Sequence, residues 1–134
     1  MYKNILISRT DSIGDVIFTL PMAGVLKELY PNCTIYFLGN TYTASVLKSC
    51  TSIDFVLNWD EIKTYDDEFK NELFANYNLD VCIHVFPKKE IADFMKKQKV
   101  PLRIGSTGRI YHYNTCNKLI PLSRKNSALH EAQL

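Results

Sequence analysis

The apolar positions fall into short blocks whose period switches between that of a strand and that of a helix. Residues 4–9 (NILISR) are a compact run of branched side chains bounded by polar groups, the pattern of a strand buried on both faces. Over Ile13–Leu29 the apolar positions 13, 16, 17, 20, 24 to 26 and 29 recur at helical spacing, with Gly24 as a small packing residue, which predicts a helix directly after that strand. Pro21 is expected to kink or restart this helix, because proline lacks the N–H and its ring crowds the preceding turn. Residues 34–38 (TIYFL) and 53–57 (IDFVL) read as the second and third strands, each preceded by turn chemistry, with a short helix over 43–48 between them. A helix over 66–77 carries Phe69, Leu73, Phe74 and Tyr77 on one stripe. A fourth strand follows over 79–86, a helix over Lys89–Lys97, and a fifth strand over 102–104. Residues 106–117 are polar, Tyr-rich and turn-like, and residues 122–134 show no amphipathic stripe.

Strands alternating with helices at this spacing imply right-handed crossovers and a sheet covered on both sides. The expected fold is therefore an α/β, doubly wound, mainly parallel sheet. With 134 residues, 46% of them apolar, and neither an internal repeat nor a linker-like stretch, residues 1–134 are expected to form a single domain. The 22% charged residues, five glycines and five prolines exclude disordered and collagen-like classes.

Uninterrupted apolar runs span only a handful of residues, against the roughly 20 needed to cross a bilayer, and no signal-peptide core follows Lys3. The expected localisation is cytoplasmic, with the inner face of the cytoplasmic membrane as its outer limit. Cys33, Cys50, Cys82 and Cys116 lack the close spacing of zinc or redox motifs and read as reduced thiols. The net charge of +2 hides an asymmetry: residues 1–87 hold 6 Lys/Arg against 11 Asp/Glu, residues 88–134 hold 10 against 3. A basic last third attracts phosphate, anionic headgroups or acidic sugars, or simply solvates a helix face, as Lys96, Lys97 and Lys99 would. No recognition motif accompanies it and the pI of 8.3 is modest, so nucleic acid is not an expected partner.

In open α/β sheets ligands bind beyond the carboxyl ends of the strands, which puts residues 9–15, Gly39, Asn40, 58–61, 86–88 and 105–109 around one rim. The turn Arg9-Thr10-Asp11-Ser12-Ile13-Gly14-Asp15 lacks both the dinucleotide fingerprint and the P-loop. Its Ser12-x-x-Asp15 spacing fits a capping box, in which Ser12 accepts from a first-turn N–H and Asp15 reaches back. It equally fits a ligand site, with Gly14 leaving backbone N–H groups approachable and Asp15 poised to accept a hydroxyl proton. The helix dipole favours an ionised Asp15, available at neutral pH as a weaker base. His84 reads as a structural imidazole or a catalyst, and His112 and His130 have no ligand spacing. No metal site is expected, and Asp66, Asp67 and Glu68 read as the acidic first turn of a helix. Lys88, Lys89, Arg103 and Arg109 fall at or just after expected strand ends, suited to phosphate or carboxylate or to solubility.

Residues 9–21 (RTDSIGDVIFTLP), with Leu26, Lys27, Pro31, Ile53 and Asp54, then Arg103-Ile104-Gly105 and finally His130-Glu131, resemble the N-terminal half of glycosyltransferase family 9, the ADP-heptose:lipopolysaccharide heptosyltransferases. The resemblance covers nearly the whole chain. It implies the Rossmann-like, acceptor-binding domain of a GT-B enzyme without an obligatory metal or other cofactor. Asp15 would be the catalytic base, with Ser12, Ile13 and Gly14 shaping the acceptor pocket and Lys88, Arg103 and Arg109 facing an anionic glycan or glycolipid acceptor. The donor of the complete family enzyme would be a nucleotide sugar such as ADP-heptose, held mostly by a second, C-terminal domain that this chain stops before. Little or no transfer is therefore expected from the chain alone without that domain or a partner chain, and its uncovered apolar surface implies self-association as a homodimer. Two other readings stand beside it. One is a non-catalytic glycan-binding or scaffolding module. The other is a receiver-like or flavodoxin-like signalling domain, to whose acidic set only Asp11 and Asp60 come near.

Overall fold

Five consecutive buried or half-buried residues, Asn4–Ser8, form β1, and the rest of the sheet assembles on both of its edges. The computed structural model describes residues 2–106 and 112–120. β1 leads into α1 (Ile13–Leu29), followed by β2 (Thr34–Gly39), a 3-10 turn (Thr41–Thr43), α2 (Ala44–Lys48), β3 (Phe55–Asn58) and α3 (Trp59–Ile62). Then come α4 (Asp67–Tyr77), β4 (Val81–His84), α5 (Lys89–Lys97), β5 (Leu102–Ser106), α6 (His112–Thr115) and β6 (Lys118–Ile120). The six strands pair in the order β3-β2-β1-β4-β5-β6, every pairing parallel. The expected doubly wound α/β sheet is the fold found, and its strand order is the Rossmann one. A receiver or flavodoxin sheet would place its strands as 2-1-3-4-5, so the topology overturns the signalling-domain reading.

The pleat sorts the core into two layers. Ile5, Ile7, Ile35 and Phe37 pack under α1 and α2 with Val16, Ala23 and Leu47, while Leu6, Leu38 and Cys82 pack under α4 and α5 with Phe74, Ile91 and Met95. Strands with both faces covered read as continuous apolar runs, which is why β1 and β2 were legible.

Other details depart from expectation. α1 runs through Pro21 without restarting; the carbonyl that proline leaves without its N–H belongs to Ile17, on the exposed side of the helix. β3 begins two residues late because Asp54 is a staple: its Oδ2 accepts from Ile35 N at 2.7 Å and from Lys27 Nζ at 2.6 Å. α3, α6 and β6 lie in stretches that carried no expected element. β6 is drawn in by Asn117, whose Oδ1 accepts from Arg103 N and whose Nδ2 donates to Pro101 O. Arg109 and the His130-Glu131 pair lie outside the described residues.

The amino ends of the strands are stitched by carboxylates, since Asp80 Oδ2 accepts from Lys3 N and Asn4 N at 2.8 and 2.9 Å, much as Asp54 holds β2. The carboxyl ends are left to the loops. No helix among the described residues is long and apolar enough to cross a membrane.

Burial works against the charge of Asp54, but the Lys27 ammonium and the Ile35 amide outweigh it and hold the carboxyl below its usual range. Its stabilising effect is present above the ordinary carboxylate pKa and lost as pH falls through the depressed one. Asp54→Ala should lower unfolding free energy by about 1–2 kcal/mol in urea titrations at pH 7, with the gap from wild type closing in acid.

Candidate functional site

Arg9, the first residue after β1, is 5% exposed, so its cation is buried at the carboxyl lip of the central strand. It is fixed from several directions. Its N–H donates to Leu38 O at 3.1 Å, tying the turn to β2. Its guanidinium takes Asp11 in a fork, Nε to Oδ1 at 3.0 Å and Nη2 to Oδ2 at 3.2 Å, while Nη1 donates to Thr19 Oγ1 at 3.2 Å. Nη2 also stands 3.4 Å from Asp15 Oδ1. The Thr19 hydroxyl in turn donates a hydrogen bond to Asp15 O at 3.0 Å, so one α1 residue braces both the cation and the first turn.

Ser12 is the N-cap of α1, with extended backbone, and its Oγ accepts from Asp15 N at 3.4 Å. The same hydroxyl donates to Asp15 Oδ2 at 2.7 Å. The cap and the poised carboxylate are thus one arrangement, with Asp15 accepting from the Ser12 side chain. The Asp15 side chain remains 45% exposed at the rim. The Ser12 hydrogen bond, aided by the Arg9 charge, holds its carboxyl below the usual range, whereas burial pushes the Asp11 carboxyl up against the pull of Arg9. Beside Asp15, a Cβ built on Gly14 would meet nothing within 4 Å. Among the described residues, packing therefore leaves the position beside Gly14 unfilled.

Asn40 locks the neighbouring loop onto this turn: its Nδ2 donates to Thr10 O at 2.9 Å and to Asp11 O at 3.3 Å. Gly39 is required just before it, because a Cβ there would come within 2.7 Å of Leu47 Cδ1 and 3.0 Å of Thr43 Oγ1. Across the rim, where the strand order reverses between β1 and β4, Ser8 Oγ and Thr10 Oγ1 are buried with no hydrogen-bond partner among the described residues. His84 sits on the Ser8 rung, its Nε2 3.6 Å from Cys82 Sγ.

The structure brings Ser12, half-buried Ile13, Gly14 and Asp15 together at the start of α1. Lys88 is also on the rim, as the N-cap residue of α5, with Nζ 3.3 Å from Glu90 Oε1, the oxygen that accepts from Trp59 Nε1 at 3.1 Å. Arg103 is not at a strand end: β5 runs to Ser106, which leaves Arg103 inside it. Its Nε and Nη1 donate to Thr115 O and Val100 O at 2.7 and 2.6 Å, tying the strand to its flanking segments. Arg9, Asp11 and Asn40 fall on the expected rim, and Asp11 also in the receiver-like acidic set, but none was expected to position Asp15, and Thr19 carried no expectation. The available signal was a charged pair, Arg9 and Asp11, shortly after the apolar run Ile5-Leu6-Ile7. No group of three or more His, Cys, Asp or Glu among the described residues is placed to hold a metal ion. A cavity of about 250 Å³ opens at the opposite, amino end of the sheet, beside Asn78, Asp80, Lys99 and Pro101.

No family model matches the chain, and no curated protein does. Solved structures do. The glycosyl transferase family 9 protein of Veillonella parvula DSM 2008 superposes with a TM-score of 0.80 at 22% identity, covering 98% of this chain and 40% of that one. The chain has the fold of these sugar transferases. E. coli ADP-heptose lps heptosyltransferase II gives a TM-score of 0.75 at 16% identity, covering 92% of this chain and 36% of its own. E. coli heptosyltransferase WaaC with ADP gives 0.75 at 17%, covering 98% and 45%. The chain thus spans less than half the length of each structure. These are the proteins that residues 9–21 resemble.

Arg9→Met should leave the half-buried Asp11 carboxylate without its cation and lower stability by about 3 kcal/mol, read by urea unfolding. Arg9→Met combined with Asp11→Leu should recover much of that loss, a non-additivity diagnostic of a direct pair. Ser12→Ala should raise the Asp15 carboxyl pKa, read by side-chain carboxyl NMR across an acid titration.

Proposed function

We propose that this chain is the acceptor-binding domain of a heptosyltransferase-like, inverting glycosyltransferase, with Asp15 as the base. The observation that carries the reading is the Asp15 carboxylate, oriented by Ser12 and Arg9 yet open to solvent, at the carboxyl rim of a sheet with the fold of family 9 transferases. Loops at that edge are where such sheets bind their ligands.

An acceptor hydroxyl seated before Gly14 would give its proton to Asp15. As that proton leaves, the hydroxyl oxygen would form the new bond to the donor's anomeric carbon while the bond to the nucleotide's phosphate breaks, inverting that carbon. Ser12 and Arg9 hold the carboxylate ionised, so it takes the proton as the nucleophile commits rather than beforehand. Ser12, Ile13 and Gly14 shape the pocket, and Lys88 faces an anionic group of the glycan. The donor is a nucleotide sugar of the ADP-heptose kind, in keeping with the similar WaaC structure carrying ADP. Its binding surface belongs to a second domain or partner chain, because the similar structures are more than twice as long as the part this chain matches. The acceptor is a heptose-containing or related lipopolysaccharide-core glycan, and the work is done in the cytoplasm or at the inner face of its membrane.

Titration of the chain with purified lipopolysaccharide-core oligosaccharide should show saturable binding that weakens with salt, whereas a chain without an acceptor site would give no saturation. Turnover of ADP-heptose by the chain alone should be lower than that of the E. coli WaaC enzyme by on the order of a hundredfold or more, since donor and acceptor are not held together. Transfer at a comparable rate would refute the division of the site. A chain that binds the oligosaccharide but gives no transfer even with a donor domain supplied in trans would be the non-catalytic glycan-binding module.

A further inference from the structure

The largest exposure among the bulky apolar side chains of the described residues is that of Tyr42, at 74%. Its setting is unlike that of a loose surface tyrosine. It is the middle residue of the 3-10 turn that follows β2, and both of its neighbours are fixed. On one side, Thr41 N donates to Asp60 Oδ2 at 3.0 Å and Asn58 Nδ2 donates to Thr41 Oγ1 at 2.8 Å. On the other, Thr43 is fully buried, its N–H donates to Asn40 Oδ1 at 3.0 Å, and Asn40 N donates back to Thr43 Oγ1, closing a capping box. The side chain of Asn40 also grips Thr10 O and Asp11 O, so the turn that presents the ring is bolted to the turn that presents Asp15. Within the fold the turn packs against α1 and α3.

A pinned backbone displaying a bare aromatic ring is a preorganised contact surface: the entropy of ordering the turn is lost on folding rather than on binding. The ring's face offers an apolar, weakly negative plane, and its hydroxyl is a hydrogen-bonding edge. The C–H face of a pyranose ring is the complement of such a plane, as its hydroxyls point outward around the rim. The ring stands on the turn that follows β2, the strand paired with β1, and Asn40 at the start of that turn is hydrogen-bonded to the turn that leads to Asp15.

Resting on the glycan-acceptor reading above, we infer that Tyr42 is the stacking platform for the sugar unit next to the one whose hydroxyl faces Asp15. The chain on this view recognises an acceptor of at least two linked sugars, and Tyr42 sets that length preference without touching the reacting atoms. The contact is to the ring plane, so Tyr42→Phe keeps it and Tyr42→Ala removes it.

The test is titration of the full chain, followed by NMR or calorimetry, with two probes: a heptose monosaccharide as its methyl glycoside, and a heptose-containing core disaccharide. Wild type should bind the disaccharide more tightly than the monosaccharide. Tyr42→Ala should lose about tenfold in disaccharide affinity while leaving monosaccharide affinity unchanged, and Tyr42→Phe should match wild type. Because the side chain is exposed, all variants should melt at the wild-type temperature, a check that separates lost stacking from lost fold. Equal disaccharide binding by wild type and Tyr42→Ala would overturn the platform and leave the acceptor reading standing. An equal loss for both probes would also overturn it, as it would show a general effect on the site. Wild type binding neither sugar would overturn the acceptor reading itself, and the platform with it.

Discussion

One buried cation organises the end of this sheet on which function is proposed. Arg9 cannot rest at the lip of β1 uncompensated, because a buried charge without partners costs several kcal/mol. The chain answers with Asp11 in a fork, Thr19 on Nη1 and Asp15 within reach. Each partner lies on a different part of the β1 to α1 connection, so satisfying the guanidinium fixes the turn, the helix start and the angle between them. Two carboxylates share the cation and are driven apart by their surroundings. Desolvation raises the carboxyl of Asp11, and the Ser12 hydrogen bond with the Arg9 charge lowers that of Asp15, so the solvent-facing carboxylate is the accessible one of the pair.

The sequence made the architecture readable where burial was two-sided and local. β1, β2, α1 and α5 could be placed because continuous apolar runs and helical stripes carry their own period. Elements stabilised from far along the chain were not readable. β6 depends on the Asn117 side chain meeting Arg103 and Pro101, and the late start of β3 depends on Asp54 being taken up by Lys27 and Ile35. The site divides in the same way. The Ser12-x-x-Asp15 spacing announced a helix cap and a rim carboxylate at once, and both are present in one set of hydrogen bonds. Arg9 as the hub was hidden, since nothing local says that an arginine after an apolar strand turns inward. Arg103 shows the reverse: a basic residue expected at a strand end is held inside a longer strand by two backbone carbonyls.

The Asp15 carboxylate also carries two duties. It accepts from the Ser12 hydroxyl that caps a 17-residue helix, and it is the group proposed to accept a proton. Tuning its basicity by altering Ser12 therefore disturbs the start of α1, and reinforcing the cap weakens the base. Asn40 extends the coupling to the next loop, hydrogen-bonding the turn after β2 to the turn after β1.

The position of β1 has a consequence for how the chain is made. β1 is synthesised first but lies between β2 and β4, and Asn4 is completed by Asp80, 76 positions later. At a translation rate of 5–20 residues per second, a nascent chain carries the open β4-facing edge of β1 for roughly 4–15 seconds before residue 80 is made. Through that interval the ribosome-bound chain is a template for wrong strand pairing, a hazard set by topology rather than by the stability of the finished molecule.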